Sequence, residues 1–116
     1  EQRFHDRQAA ARAATRPELR FADADYLDHE TWVRPAFDRL GTLHGRRALD
    51  YGCGHGMASV VLTRAGADVT AFDLSPGYVA EARDRLRAND AAGTVVVADG
   101  ENLPFPDRSF DAVWGN

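Results

Sequence analysis

Ala48-Leu49-Asp50-Tyr51-Gly52-Cys53-Gly54-His55-Gly56 is the stretch that decides the fold. Ala48, Leu49 and Tyr51 read as a short buried strand. The glycines that follow let the backbone turn sharply and approach a ligand closely. Met57 to Ala65 then reads as a helix whose Val60, Val61 and Leu62 face the sheet, and Gly66 stops it. Amides opening that helix point into the crevice at the strand end, and the helix dipole favours the negative end of a ligand there. A tight strand–helix turn with no ligand is the competing use of the same residues.

Downstream the alternation repeats. Val69 to Phe72 is a second strand, and Asp73-Leu74-Ser75-Pro76 feeds a helix from Pro76 to Ala88. Pro76 suits the first helical position and Ser75 the cap before it. Tyr78, Val79, Ala82 and Leu86 form its stripe, with Glu81 and Arg85 as an i,i+4 pair on the wet side. Thr94 to Ala98 is a third strand, residues 99–107 a loop, and Phe110 to Trp114 a fourth strand containing Asp111. Strands alternating with helices predict an α/β fold, Rossmann-like, with right-handed crossovers and a mainly parallel sheet. Upstream, residues 3–15 favour helix, residues 18–28 carry no decisive pattern, and Glu30 to Leu40 reads as a helix with Pro35 near its start.

Composition narrows the function. Fourteen basic against eighteen acidic residues give a formal charge of −4, which argues against a general nucleic-acid surface. The single cysteine, Cys53, excludes an intrachain disulfide and a thiolate zinc cluster. Its ordinary role is a small buried side chain in the turn, with a catalytic thiolate as the alternative. The histidines are scattered, so no metal is expected. With no secretory leader and no run of about 20 apolar residues, a cytoplasmic protein without a membrane span is expected.

Three acids stand at or just beyond the carboxyl ends of the first three strands. A dinucleotide fingerprint of the GxGxxG type needs glycine where Met57 stands, and no Gly-Lys-Ser or Gly-Lys-Thr follows for a P-loop. Asp50 beside the turn would repel a pyrophosphate but suits a ligand bearing an ammonium group; its alternative is to stabilise the turn. Asp73 closes the second strand, about 5 Å from the first in a parallel pair. It can accept hydrogen bonds from both hydroxyls of a ribose, or cap the following helix. Asp99 can accept from an exocyclic amine, with Leu74 and Leu103 as walls for a flat base, or be solvated in its loop. Leu103, Pro104, Phe105, Pro106 and Phe110 are expected to pack under the loop.

Leu49 to Gly56 (LDYGCGHG), Val69 to Ser75 (VTAFDLS), Ala98 to Phe105 (ADGENLPF) and Ser109 to Val113 (SFDAV) together resemble the class I S-adenosylmethionine-dependent methyltransferases, small-molecule type. The resemblance implies a three-layer methyltransferase fold, here ending after the fourth strand of a sheet that has seven in the family. It implies that Asp50, Gly52, Cys53 and Gly54 surround the methionine part of S-adenosyl-L-methionine. Asp73 is implied on the ribose, Leu74, Asp99 and Gly100 at the adenine, and Asn116 beside the methionine. Residues 46–116 would be the first half of the cofactor domain, and residues 1–45 a helical lid on the substrate side.

The expected function of the complete protein is methyl transfer to a small-molecule acceptor, releasing S-adenosyl-L-homocysteine. Two alternatives remain: a non-catalytic cofactor-binding or interaction module of the same fold, and a nicotinamide-dependent oxidoreductase. His55 is the candidate catalytic base, since an imidazole titrates near neutrality. His5, Tyr26, His29 and Trp32 are candidates to touch the substrate, with simple packing as their alternative. The fourth strand would be a bare edge, so a missing C-terminal half or an oligomeric partner is expected to cover it.

Overall fold

A computed structural model describes residues 16–115. The helix expected over residues 3–15, together with His5 and Asn116, lies outside the described residues. Four parallel strands, β1 (Arg47–Tyr51), β2 (Asp68–Asp73), β3 (Thr94–Val97) and β4 (Ala112–Gly115), form one sheet in the order β3-β2-β1-β4. The order reverses between β1 and β4. In open α/β sheets a crevice for ligands forms at the carboxyl end of the strands beside such a reversal.

Short helices α1 (Asp23–Leu27) and α2 (Val33–Asp38) precede the sheet, after a single 3-10 turn at Pro17–Leu19. Helix α3 (Met57–Arg64) joins β1 to β2, and α4 (Pro76–Ala88) joins β2 to β3. Helix α4 has the expected bounds because its ends are chemically marked. Ser75 Oγ accepts from the Tyr78 amide (3.3 Å), Pro76 opens the first turn, and Arg85 and Arg87 sit in the last turn against the dipole. Val79, Ala82 and Leu86 bury its inner face.

Alternate residues of neighbouring strands share a face. Ala48 pairs with Val69 and Ala112, and Asp50 with Ala71 and Trp114, so all of these look toward the helices. On that side Tyr26, Val33, Phe37 and Leu43 pack with Ala48, Val61, Leu62, Val69 and Trp114. The Phe37 and Trp114 rings meet edge to face at 5.3 Å. Segment 16–45 therefore shares its core with the sheet. Val60, Ala71, Val79, Ala82, Leu86 and Val95 form a second cluster beside it. On the opposite face, where the fold would carry its third layer, the loop after β3 lies over Leu49 with Leu103, Phe105 and Phe110 around a groove. Phe105 and Phe110 pack as expected, edge to face at 5.3 Å.

Three details differ from expectation. The helix expected over residues 30–40 is confined to Val33–Asp38: Pro35 lacks an amide hydrogen and fits only the first turn, and the chain tightens to i→i+3 bonds before Gly41 (φ 72°). The undecided segment before it contains α1, whose Asp25 carboxylate accepts from the Ala22 amide (3.0 Å). Strand β4 starts at Ala112, not Phe110. Asp111 precedes it, accepting from the Arg47 amide (2.8 Å) and pairing with the Arg47 guanidinium.

Candidate functional site

The glycine turn leaves β1 in the left-handed region at Gly52 (φ 68°), Gly54 (φ 52°) and Gly56 (φ 87°), which only glycine adopts freely. A Cβ on Gly56 would stand 2.7 Å from Ala82 Cα, so α4 packs directly on the turn. The Cys53 amide donates to the Phe72 carbonyl (2.8 Å), and the Gly54 amide donates to Asp73 Oδ2 (2.9 Å). Backbone and carboxylate at the ends of β1 and β2 are thereby locked together.

Asp50 is 2% exposed. Burial pushes its carboxyl up to about 6, against the lowering effect of the Ser59 hydroxyl, which donates to Oδ2 at 2.7 Å; the nearby Asp73 charge raises it further. A buried carboxyl whose charged form costs this much is one that a ligand cation could stabilise. Burial, followed by the charges of Asp50 and Asp73, also pushes the Cys53 thiol up to about 12, leaving little thiolate at neutral pH.

Asp73 is half-buried at the rim. Its Oδ1 accepts from the Ser75 amide (3.0 Å) and its Oδ2 from Gly54, which leaves roughly two of the four lone-pair sites of a carboxylate free for a diol. Ser75, not Asp73, caps α4. Leu74, beside it, is 68% exposed. Asp99 is exposed, and its Oδ1 accepts from the Glu101 amide (2.9 Å). The Tyr51 hydroxyl donates to the Gly100 carbonyl (3.0 Å), tying the loop after β3 to the end of β1.

Between the turn and α1 lies a cavity of about 350 Å³. Its walls are Asp50 and the turn residues Gly52, Cys53, Gly54 and His55 on one side, and Asp25, Tyr26 and His29 on the other. Met57 and Ala58 from α3 complete it. The structure thus gathers Asp50, the turn, His55, Tyr26 and His29 around one space. Trp32, 47% exposed at the start of α2, does not line it. Tyr26 is buried, and its hydroxyl oxygen accepts from Trp114 Nε1 (2.8 Å). Burial raises the phenol, opposed by Trp114 and reinforced by the Asp50 charge. His55 Nδ1 meets the Glu81 carboxylate, and its ring packs edge to face on Tyr78 at 5.0 Å. Among the described residues no group of three His, Cys, Asp or Glu side chains is arranged to hold a metal ion, and no helix is long and apolar enough to cross a membrane.

Several contributors were not singled out beforehand. Ser59 is the partner of buried Asp50; its signal is a lone hydroxyl within the apolar run Ala58 to Leu62. Asp25, Met57 and Ala58 reach the cavity with no sequence signal. Arg85, placed on the wet side of its helix by periodicity, has a side chain only 15% exposed, because it reaches the His55 carbonyl at 2.7 Å.

Residues 48–116 match a family described as "Methyltransferase domain". A demethylmenaquinone methyltransferase of Tropheryma whipplei is 39% identical over 88 residues, covering 76% of this chain and 36% of that protein. A malonyl-[acyl-carrier protein] O-methyltransferase of Enterobacter lignolyticus is 38% identical over 115 residues, covering 96% and 42%. Among solved structures, magnesium protoporphyrin IX methyltransferase of Synechocystis with bound S-adenosylmethionine superposes with a TM-score of 0.64 at 31% identity, covering 75% of this chain and 43% of that one. The chain spans about a third of the length of the first curated relatives it matches.

Proposed function

This chain belongs to the class I S-adenosylmethionine-dependent methyltransferase family, and from that premise we propose that its crevice serves the intact protein in methyl transfer to a small-molecule acceptor. The observation that carries the proposal is the cradle itself: a left-handed glycine turn flanked by buried Asp50 and rim Asp73, open to a cavity that Tyr26 and His29 line from the other side.

The donor set fits the cofactor. Asp50 would face the ammonium of the methionine part, directly or through water, with Gly52, Cys53 and Gly54 offering close backbone. Asp73 would accept from the ribose hydroxyls with its free lone pairs. Leu74 would lie against the adenine, with Asp99 and Gly100 at its polar edge. S-adenosylmethionine supplies an electrophilic methyl group on a sulfonium centre.

The protein's part is to orient and to exclude water. Segment 16–45 would act as a lid: α1 roofs the cavity, and Tyr26, held by Trp114, presents its phenol beside Asp50. His29 and His55 line the cavity with exposed imidazoles, and His55, whose Nδ1 meets Glu81, could present its Nε2 to an acceptor. The proposal includes a cytoplasmic protein, and a further segment or an oligomeric partner over the free edge of β4.

Calorimetry with S-adenosylhomocysteine and with NAD tests the cofactor assignment; preference for NAD would reject it. Asp73→Ala should weaken homocysteine-adenosine binding by about 1–3 kcal/mol in a folded variant. Labelled methyl transfer tests the enzyme, starting from the acceptors that name the relatives, demethylmenaquinone and a malonyl carrier protein, and extending to other small molecules.

A further inference from the structure

The glycine turn has no hydrogen-bond ladder of its own, and three of its five residues sit in the left-handed region. Beyond the bonds of the Cys53 and Gly54 amides to the end of β2, one stripe of α4 holds it. Tyr78, Glu81, Ala82 and Arg85 follow the spacing i, i+3, i+4, i+7 and so share a face. Tyr78 packs on the His55 ring, Glu81 meets His55 Nδ1, and Ala82 fills the space that glycine leaves at position 56. Arg85 Nη1 donates to the His55 carbonyl (2.7 Å) and to Glu81 Oε2 (3.2 Å). The Gly56 amide on the same peptide plane donates to the Cys53 carbonyl (3.0 Å). Both ends of the 55–56 peptide are therefore held, one within the turn and one from α4.

A surface ion pair would not need the turn carbonyl, and would contribute little in water. Here the guanidinium is largely withdrawn from solvent, so its bond to the carbonyl is a charge-assisted one with weak competition from water. Gly56, on one side of this peptide, makes it easier to rotate once that bond is lost. Arg83, two residues away, gives a contrast. Its guanidinium donates to the Val95 carbonyl on β3 (2.7 and 3.1 Å).

We infer that Arg85, aligned by Glu81, is a positioning residue for the cofactor: it fixes the 55–56 peptide so that the turn keeps the shape that receives the methionine part. His55 then acts through its backbone carbonyl and its pairing with Glu81, as part of this clamp. The inference rests on the crevice being the S-adenosylmethionine site.

The test uses the intact protein and S-adenosylhomocysteine. Arg85→Ala should raise its Kd by about tenfold, the loss of one charge-assisted bond. In turnover the loss should fall on the KM for S-adenosylmethionine and leave the KM for the acceptor in place. Arg85→Lys should recover part of the affinity, and Arg83→Ala should bind within about twofold of wild type. If Arg85→Ala does not fold, Glu81→Gln keeps the guanidinium but removes its aligning charge, and should raise the Kd by about threefold. Wild-type affinity in a folded Arg85→Ala, or in Glu81→Gln where Arg85→Ala does not fold, or an equal loss in Arg83→Ala, would overturn the inference. Failure of the wild type itself to bind would instead remove the cofactor reading beneath it.

Discussion

Asp50→Asn separates the charge of the buried carboxyl from its shape. The amide oxygen still accepts from Ser59, the volume is kept, and no proton is exchanged. In the wild type, burial raises the carboxyl from 3.8 to about 6. At about 1.4 kcal/mol per pH unit, that corresponds to about 3 kcal/mol. The sign follows from linkage. A folded-state value above the unfolded one means the folded protein holds its proton more tightly, so this contribution to stability is full below about pH 4 and lost as the pH rises through about 6. At neutral pH the ligand-free protein would carry an ionised, buried acid at that cost. Asp50→Asn should therefore gain stability relative to wild type as the pH rises from 4 to 7, by up to about 3 kcal/mol. Asp28, Glu81 and Asp111, whose carboxyls are held below their ordinary range by Arg34, by His55 with Arg85, and by Arg47, titrate alike in both proteins and cancel in the difference. Urea unfolding of both proteins at half-unit pH steps measures it. Ligand binding should run the other way: wild-type affinity for S-adenosylhomocysteine should rise with pH through about 6, because only the ionised acid pairs with an ammonium, whereas the variant should bind more weakly and without that rise. Parallel stability curves for the two proteins, or an Asp50→Asn affinity equal to wild type at pH 7.5, would refute the reasoning.

Gly56→Ala should destabilise the fold by about 1–3 kcal/mol, since its Cβ would press on Ala82 Cα at 2.7 Å with φ at 87°; thermal or urea unfolding reads this directly. Tyr26→Phe should cost about 1–3 kcal/mol by leaving the buried Trp114 Nε1 without its acceptor, while Tyr78→Phe, at an exposed hydroxyl, should stay within about 0.5 kcal/mol in the same unfolding assay. Cys53 should resist iodoacetamide at pH 7.5 in the folded protein and react on unfolding in urea, because burial keeps its thiol protonated; labelling at the free-thiol rate in the native state would contradict that environment.

Local pattern was enough for the frame. The apolar stretch before Gly52, the helical stripes after Gly56 and Pro76, and the acids Asp50, Asp73 and Asp99 each declare themselves through periodicity, glycine placement and position at a strand end, all short-range properties of the chain. The cap at Ser75 was legible for the same reason. The brief helices before β1 were less so, because α1 and α2 each span fewer than two turns and are stabilised by packing on the sheet more than by propensity.

Pairing across the fold belonged to the tertiary structure alone. Trp114 finds Tyr26 from 88 positions away, Arg85 finds the His55 carbonyl from 30, and Ser59 turns inward to Asp50. A sequence reports whether a side chain sits on an apolar or a wet stripe of its own element. Which groups then meet depends on strand register and on how one helix lies against the next turn, and that geometry alone brought the Arg85 guanidinium of an ordinary surface pair on α4 onto the glycine turn, and made a strand-end aspartate a buried acid.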